Sequence, residues 1–165
     1  MITLKQILVA TDFSEPSDVA LAYGRELANR FGATLHVLHV VQNIYVNTLG
    51  AENYVAVAPG LQQEIEEDAR RRLGELVIDS DRSGPPTVPI VLTAMSPAPA
   101  IIDYAKNQGI DMIVMGTHGR GAFAHLVMGS VAERVVRLAS CPVLTLRHPE
   151  HDFVQPDALA AVAKK

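Results

Sequence analysis

Residues 6–41 read QILVATDFSEPSDVALAYGRELANRFGATLHVLHVV, and the fold follows from how this stretch divides. Gln6 to Ala10 has the apolar run of a buried strand. The turn Thr11-Asp12-Phe13 follows, and the pattern then predicts a helix from Ser14 to Phe31. Ser14 can cap that helix, Pro16 is tolerated in its first turn, and Gly32 supplies its C-terminal stop. Ala20, Gly24, Leu27, Ala28 and Phe31 share one face at helical spacing, so that face should pack on a sheet. Thr34 to Val41, rich in β-formers, is a second strand. A long helix between two strands implies parallel pairing through a right-handed crossover.

Outward from this unit the alternation continues. Residues 42–60 have no clean period and form a long connection, a candidate lid. Leu61 to Ile78 is a charged helix with Ile65, Ala69, Leu73 and Leu76 inward. After the loop 80–86, Val88 to Thr93 is a third strand, and Pro89 marks it as an edge. Pro97 to Gln108 is a helix closed by Gly109, and Ile110 to Met115 is a fourth strand buried on both faces. A last helix from Ser130 to Leu138 leads to a fifth strand, Pro142 to Leu146. The expectation is one α/β domain, residues 1–147, with an open parallel five-stranded sheet and helices on both faces. Residues 148–165 are a tail in which 157–165 would make at most a marginal helix.

Composition narrows the function. Of 165 residues, 48% are hydrophobic and 19% charged, which suits a folded globule and not a disordered chain. With 18 acidic against 14 basic residues the net charge is −4, so nucleic acid and anionic lipid are repelled and neither is expected as a partner. The N-terminal apolar run, Ile7 to Ala10, is too short for a signal peptide or a membrane span, which implies the cytoplasm. Cys141 is the only cysteine and reads as core, and the six histidines make no HExxH or comparable pair, so no protein-held metal is expected.

In an open parallel sheet, ligands bind beyond the C-terminal ends of the strands, where strand order reverses. Asp12, Val40-Val41 and the run Gly116-Thr117-His118-Gly119-Arg120-Gly121 follow the first, second and fourth strands. Three glycines within six residues let backbone N–H groups approach an anion, and Arg120 adds charge. Gly129-Ser130 opens the last helix, whose free amides can face the same anion. The competing local reading is a simple turn after the strand, with Ser130 and Glu133 forming a capping box.

Gly116-x-x-Gly119, nine residues, then Gly129-Ser130 resembles the nucleotide-binding signature of the ATP-binding universal stress proteins. The opening ILVATDFSEPSDVAL, the strand LHVLHVV, DMIVMGTHGRG and the closing CPVLTL extend the resemblance over residues 3 to 147. It implies strand order 3-2-1-4-5, a Rossmann-like arrangement, with the first and fourth strands side by side. It also implies ATP as ligand, with or without Mg. Asp12 would then accept hydrogen bonds from the ribose, and the backbone near Val40 would read the adenine edge. Gly116, Gly119, Arg120, Gly129, Ser130 and the amide of Val131 would form the ribose and phosphate site, and Ala10, Thr11 and Met115 would line it. Met95 departs from the family pattern, which places glycine there, and stands where it can crowd the base or pack on it.

The resemblance implies a stress-response regulator whose surface changes with bound ATP, and a homodimer joined through the last strand. No catalytic base is evident. The alternatives are a slow ATPase using His118 or Asp12, and a nucleotide-free dimeric interaction module.

Overall fold

The computed structural model describes residues 2–47, 58–78, 84–118 and 128–147. Five parallel strands, β1 (Gln6–Thr11), β2 (Thr34–Gln42), β3 (Thr87–Ala94), β4 (Met112–Gly116) and β5 (Val143–Leu146), form one sheet in the order β3-β2-β1-β4-β5. The helices are α1 (Glu15–Phe31), α2 (Ile44–Asn47), α3 (Leu61–Ile78), α4 (Pro97–Asn107) and α5 (Ser130–Leu138). The expected fold class and strand order are both found. The short α2 was not foreseen, and the rest of the candidate lid, 48–57, lies outside the described residues, as does the tail.

Two apolar layers cover the two faces of the sheet. Ile7, Val9, Leu35, Val37 and Val114 pack with Ala20, Leu21 and Ala28 of α1 and Leu73 of α3. Leu8, Ala10, Leu38, Ile113 and Met115 pack with Ala98, Ile101 and Ala105 of α4 and Ala132 and Val135 of α5. Alternation along each strand sends successive side chains to opposite layers, which is why the central strands read as unbroken apolar runs.

Two expected core positions are corrected. Phe31 and Ile65 are 43% and 37% exposed. Phe31 occupies the last turn of α1, next to Gly32, whose φ of 64° ends the helix, while Leu21 takes a buried place on the same helix. On α3 the inward stripe starts about one turn earlier, at Gln62, and runs through Glu66 to the buried Ala69 and Leu73, with Glu66 drawn to Thr93 of β3.

Hydrogen-bond parity distinguishes the two sheet edges. Leu35 N–H donates to Pro86 C=O and Asn43 N–H to Ala94 C=O, so even-numbered peptide groups of β3 face β2 and odd ones face out. Pro89 therefore stands where its missing N–H weakens the open edge. On the other side, Ile113 N–H donates to Pro142 C=O and Thr117 N–H to Leu146 C=O. The peptide groups of Val143 and Thr145 consequently face the open edge of β5, with both donors intact.

Candidate functional site

The end of β1 is a tight, over-determined turn. Thr11 is buried, with its Oγ1 3.0 Å from Ser17 Oγ, and the Phe13 N–H donates to Thr11 Oγ1 at 3.0 Å. Phe13 is the one non-glycine described residue with positive φ, 62°, a conformation that costs about 1–3 kcal/mol and needs support from its surroundings. Support is present: the Phe13 ring lies 4.4 Å from the His39 ring, and the Arg72 guanidinium sits 4.4 Å over it. His39 Nδ1 is 2.8 Å from the Thr11 carbonyl, and because a carbonyl only accepts, Nδ1 carries the proton.

This turn presents Asp12. Its carboxylate accepts the Ser14 N–H at 3.2 Å and the Ser14 hydroxyl. Ser14, the N-cap of α1, also donates its N–H to Ser17 Oγ at 3.0 Å. The Asp12 carboxylate is thus oriented locally, one residue beyond the C-terminal end of β1.

Neighbouring strands end at different heights, and that difference makes the site. The β1–β2 ladder stops at Thr11 opposite His39, whereas β2 stays paired with β3 as far as Gln42 opposite Ala94. Thr34 N–H donates to Lys5 C=O, so even-numbered peptide groups of β2 face the β1 side. The Val40 carbonyl and the Gln42 amide therefore point past the end of β1. The Phe13 N–H, which would have met Val40 C=O had the ladder continued, turns to Thr11 Oγ1 instead.

Beside this acceptor and donor lies an apolar surface. Ala10 and Met115 are buried in the α4/α5 layer, with Val40, Val131 and Met128 packed against it. Ala10, Val40, Met115 and Val131 are brought to one side of the sheet, while the Thr11 side chain lies in the opposite direction, toward Ser17 of α1. Met95 is 68% exposed in the connection from β3 to α4 and fills no core position.

Across the crevice, Gly116 ends β4 against the first turn of α1. A Cβ there would lie 3.0 Å from Pro16 Cβ and 3.1 Å from the His118 carbonyl oxygen, so a larger residue would need these neighbours to give by a few tenths of an ångström. Gly129 is the N-cap of α5, and its N–H donates to Thr117 C=O at 2.7 Å. Glu133 N–H donates to Gly129 C=O at 2.9 Å, which makes Ser130 the first helical residue. The Ser130–Glu133 capping box is therefore not formed, since that motif needs serine at the N-cap. Gly129 has no side chain with which to cap this end of α5, and the first-turn amides of Ser130 and Val131 lie outside the helix's own hydrogen bonding. Gly119 and Arg120 lie outside the described residues.

Thr117 and Gln62 escaped the sequence reading. Thr117 is buried, and its Oγ1 lies 3.0 Å from His118 Nδ1. Its position between two signature residues was the available signal, whereas nothing local singled out Gln62. Among the described residues, no group of three or more His, Cys, Asp or Glu side chains is arranged to hold a metal, and no helix is long and apolar enough to cross a membrane.

Comparison with known proteins bears on the family and the fold. The model of the Universal stress protein family matches residues 3–147. Universal stress protein A homolog 1 of Coxiella burnetii is 34% identical, over 86% of this chain and 95% of its own. Universal stress protein MJ0531 of Methanocaldococcus jannaschii is 30% identical, over 90% of this chain and 85% of its own. A solved universal stress family protein from Burkholderia pseudomallei superimposes with a TM-score of 0.66 at 30% identity, covering 87% of this chain and 96% of that one. The fold is shared with a universal stress protein solved with cAMP, TM-score 0.63, and one from Archaeoglobus fulgidus solved with dAMP, TM-score 0.56. Each of those two is 20% identical and covers 88% of this chain and 98% of its own.

Proposed function

The chain belongs to the universal stress protein family, and on that premise we propose that it binds an adenine nucleotide, ATP foremost, and acts as a nucleotide-dependent regulator in a stress response. The observation that carries the reading is the overrun of β2 past β1, which points the Val40 carbonyl and the Gln42 amide into the crevice. Adenine offers the complementary pair, a 6-amino donor beside the N1 acceptor. Its faces suit the apolar surface of Ala10, Val40 and Met115.

The remaining roles follow from position. Asp12 accepts from the ribose hydroxyls, with Thr11 supporting its turn. The first-turn amides of Ser130 and Val131 and the partial positive charge of α5 receive phosphate, and Gly116, Gly119, Arg120 and Gly129 are assigned to the same site. Mg, where it accompanies ATP, is carried by the triphosphate oxygens. The adenine nucleotides of the two relatives of this fold are in line with the ligand class. The open edge of β5, with its two outward donors, is the proposed seam of a homodimer.

The test is to denature purified protein and chromatograph the released nucleotide, then titrate nucleotide-free protein with ATP calorimetrically. ATP or another adenine nucleotide in the extract, and saturable heat on titration, are expected. Neither appearing would remove the reading.

A further inference from the structure

Gln62 is 8% exposed on an otherwise charged helix, where an apolar residue would ordinarily be found. Its Oε1 accepts the Ile44 N–H at 3.0 Å, and its Nε2 donates to Glu66 Oε1 at 3.2 Å. The same Glu66 oxygen accepts the Thr93 hydroxyl at 2.7 Å, and Arg70 reaches the other at 3.2 Å. Hydrogen bonds from Thr93 and Gln62 hold the Glu66 carboxyl below the usual carboxylate range, so it is charged at neutral pH. A carboxylate only accepts, and this decides the orientation of the Gln62 amide: nitrogen toward Glu66, oxygen toward Ile44.

The network grips both sides of one short piece of backbone. Ile44 lies two residues beyond Gln42, and Thr93 is the β3 partner of Val41. The Asn43 N–H is already bonded to Ala94 C=O, so β2 is zipped to β3 on its far side and held from α3 as it leaves the sheet. The free edge of the same segment carries Val40 C=O and Gln42 N–H.

We propose that Gln62, oriented by Glu66 and Thr93, is a positioning residue that sets the adenine-reading edge of β2 and so the discrimination between adenine and a 6-oxo purine. This rests on the adenine-binding reading above. Hypoxanthine places an acceptor opposite the Val40 carbonyl and a donor opposite the Gln42 amide, so a correctly held edge rejects it.

The test compares Gln62→Leu, which keeps the volume and removes the acceptor, with the wild type. ATP and ITP affinities are measured for both, with amide hydrogen exchange at residues 42–44 read without nucleotide. In Gln62→Leu, ATP affinity should fall about 3- to 10-fold, the loss of one hydrogen bond, while ITP affinity holds, so the ATP/ITP ratio shrinks. Exchange at Ile44 should also accelerate. An unchanged ratio with wild-type exchange in the folded variant would overturn the proposal. If Gln62→Leu does not fold, Thr93→Val decides by the same two readouts at an exposed site. A wild type that binds neither nucleotide, or both equally, would overturn the adenine reading itself and this proposal with it. Exchange at Ile44 reports on Gln62 separately, so the two failures are distinguishable.

Discussion

The Gly129 N–H donates to the Thr117 carbonyl at 2.7 Å, which ties the N-cap of α5 to the residue that leaves β4. The start of α5 is thereby fixed against the end of β4, and with it the first-turn amides of Ser130 and Val131.

That junction has little room. A Cβ on Gly129 would lie 3.3 Å from the Thr117 carbonyl oxygen and 3.6 Å from His118 Cα. Gly129→Val should introduce about 1–3 kcal/mol of strain and weaken ATP binding about tenfold or more, while Gly129→Ala costs less. Calorimetry with ATP and circular dichroism on the two variants check this. A folded Gly129→Val protein with wild-type affinity would remove the junction from the site.

Asp12 carries two roles that separate experimentally. Asp12→Ala should lower ATP affinity by about 1–3 kcal/mol if the carboxylate meets the ribose, and should also lower the melting temperature, since Ser14 loses its acceptor. Dideoxy-ATP isolates the ribose part. It should bind the wild type more weakly than ATP does and bind the variant about equally; the same ATP preference in both proteins would leave Asp12 with its structural role alone.

His36 links stability to acid. It is buried in β2, with Nε2 2.7 Å from Gln6 Oε1 and Nδ1 2.8 Å from the Tyr104 hydroxyl, and burial lowers its pKa. The neutral ring donates from Nε2 and accepts the Tyr104 O–H at Nδ1. Because the unfolded chain takes up its proton at the higher pKa, about 6.5, stability is fully present above that pH and is lost as pH falls through the folded value. His36→Gln should flatten melting temperature against pH on the acid side of about 6.5. A variant that loses stability over that range as steeply as the wild type would show that other groups control the acid limb.

The β5 edge gives a direct test of assembly. Val143→Pro with Thr145→Pro removes the two donors that face outward and none of those paired with β4. Light scattering after size exclusion should show a dimer for the wild type and a shift toward monomer for the double variant at low micromolar concentration. A wild type that is monomeric at high concentration, with or without ATP, would end the dimer proposal.

Short-range signals were enough for the elements and their order in the chain. Apolar runs bounded by Thr11-Asp12-Phe13, Gly32 and Gly109, and the helical stripe at Ala69 and Leu73, place strands and helices within a few residues of their observed ends. Asp12, Val40 and Gly129 could be picked out because they stand at the C-terminal end of a strand or open a helix, positions at which an open parallel sheet presents its crevice. The family signature added the strand order. Relative strand length and register were decided only in three dimensions, because they depend on partners far apart in the chain. The overrun of Gln42 past Thr11, the facing of Val143 and Thr145 to the open edge, and the packing of Gly116 on Pro16 all belong to this class. So does the exchange of Ile65 for Gln62 on the inward stripe of α3. Periodicity favours the isoleucine, and the tertiary structure favours the amide, because only there do Ile44 and Glu66 supply its partners.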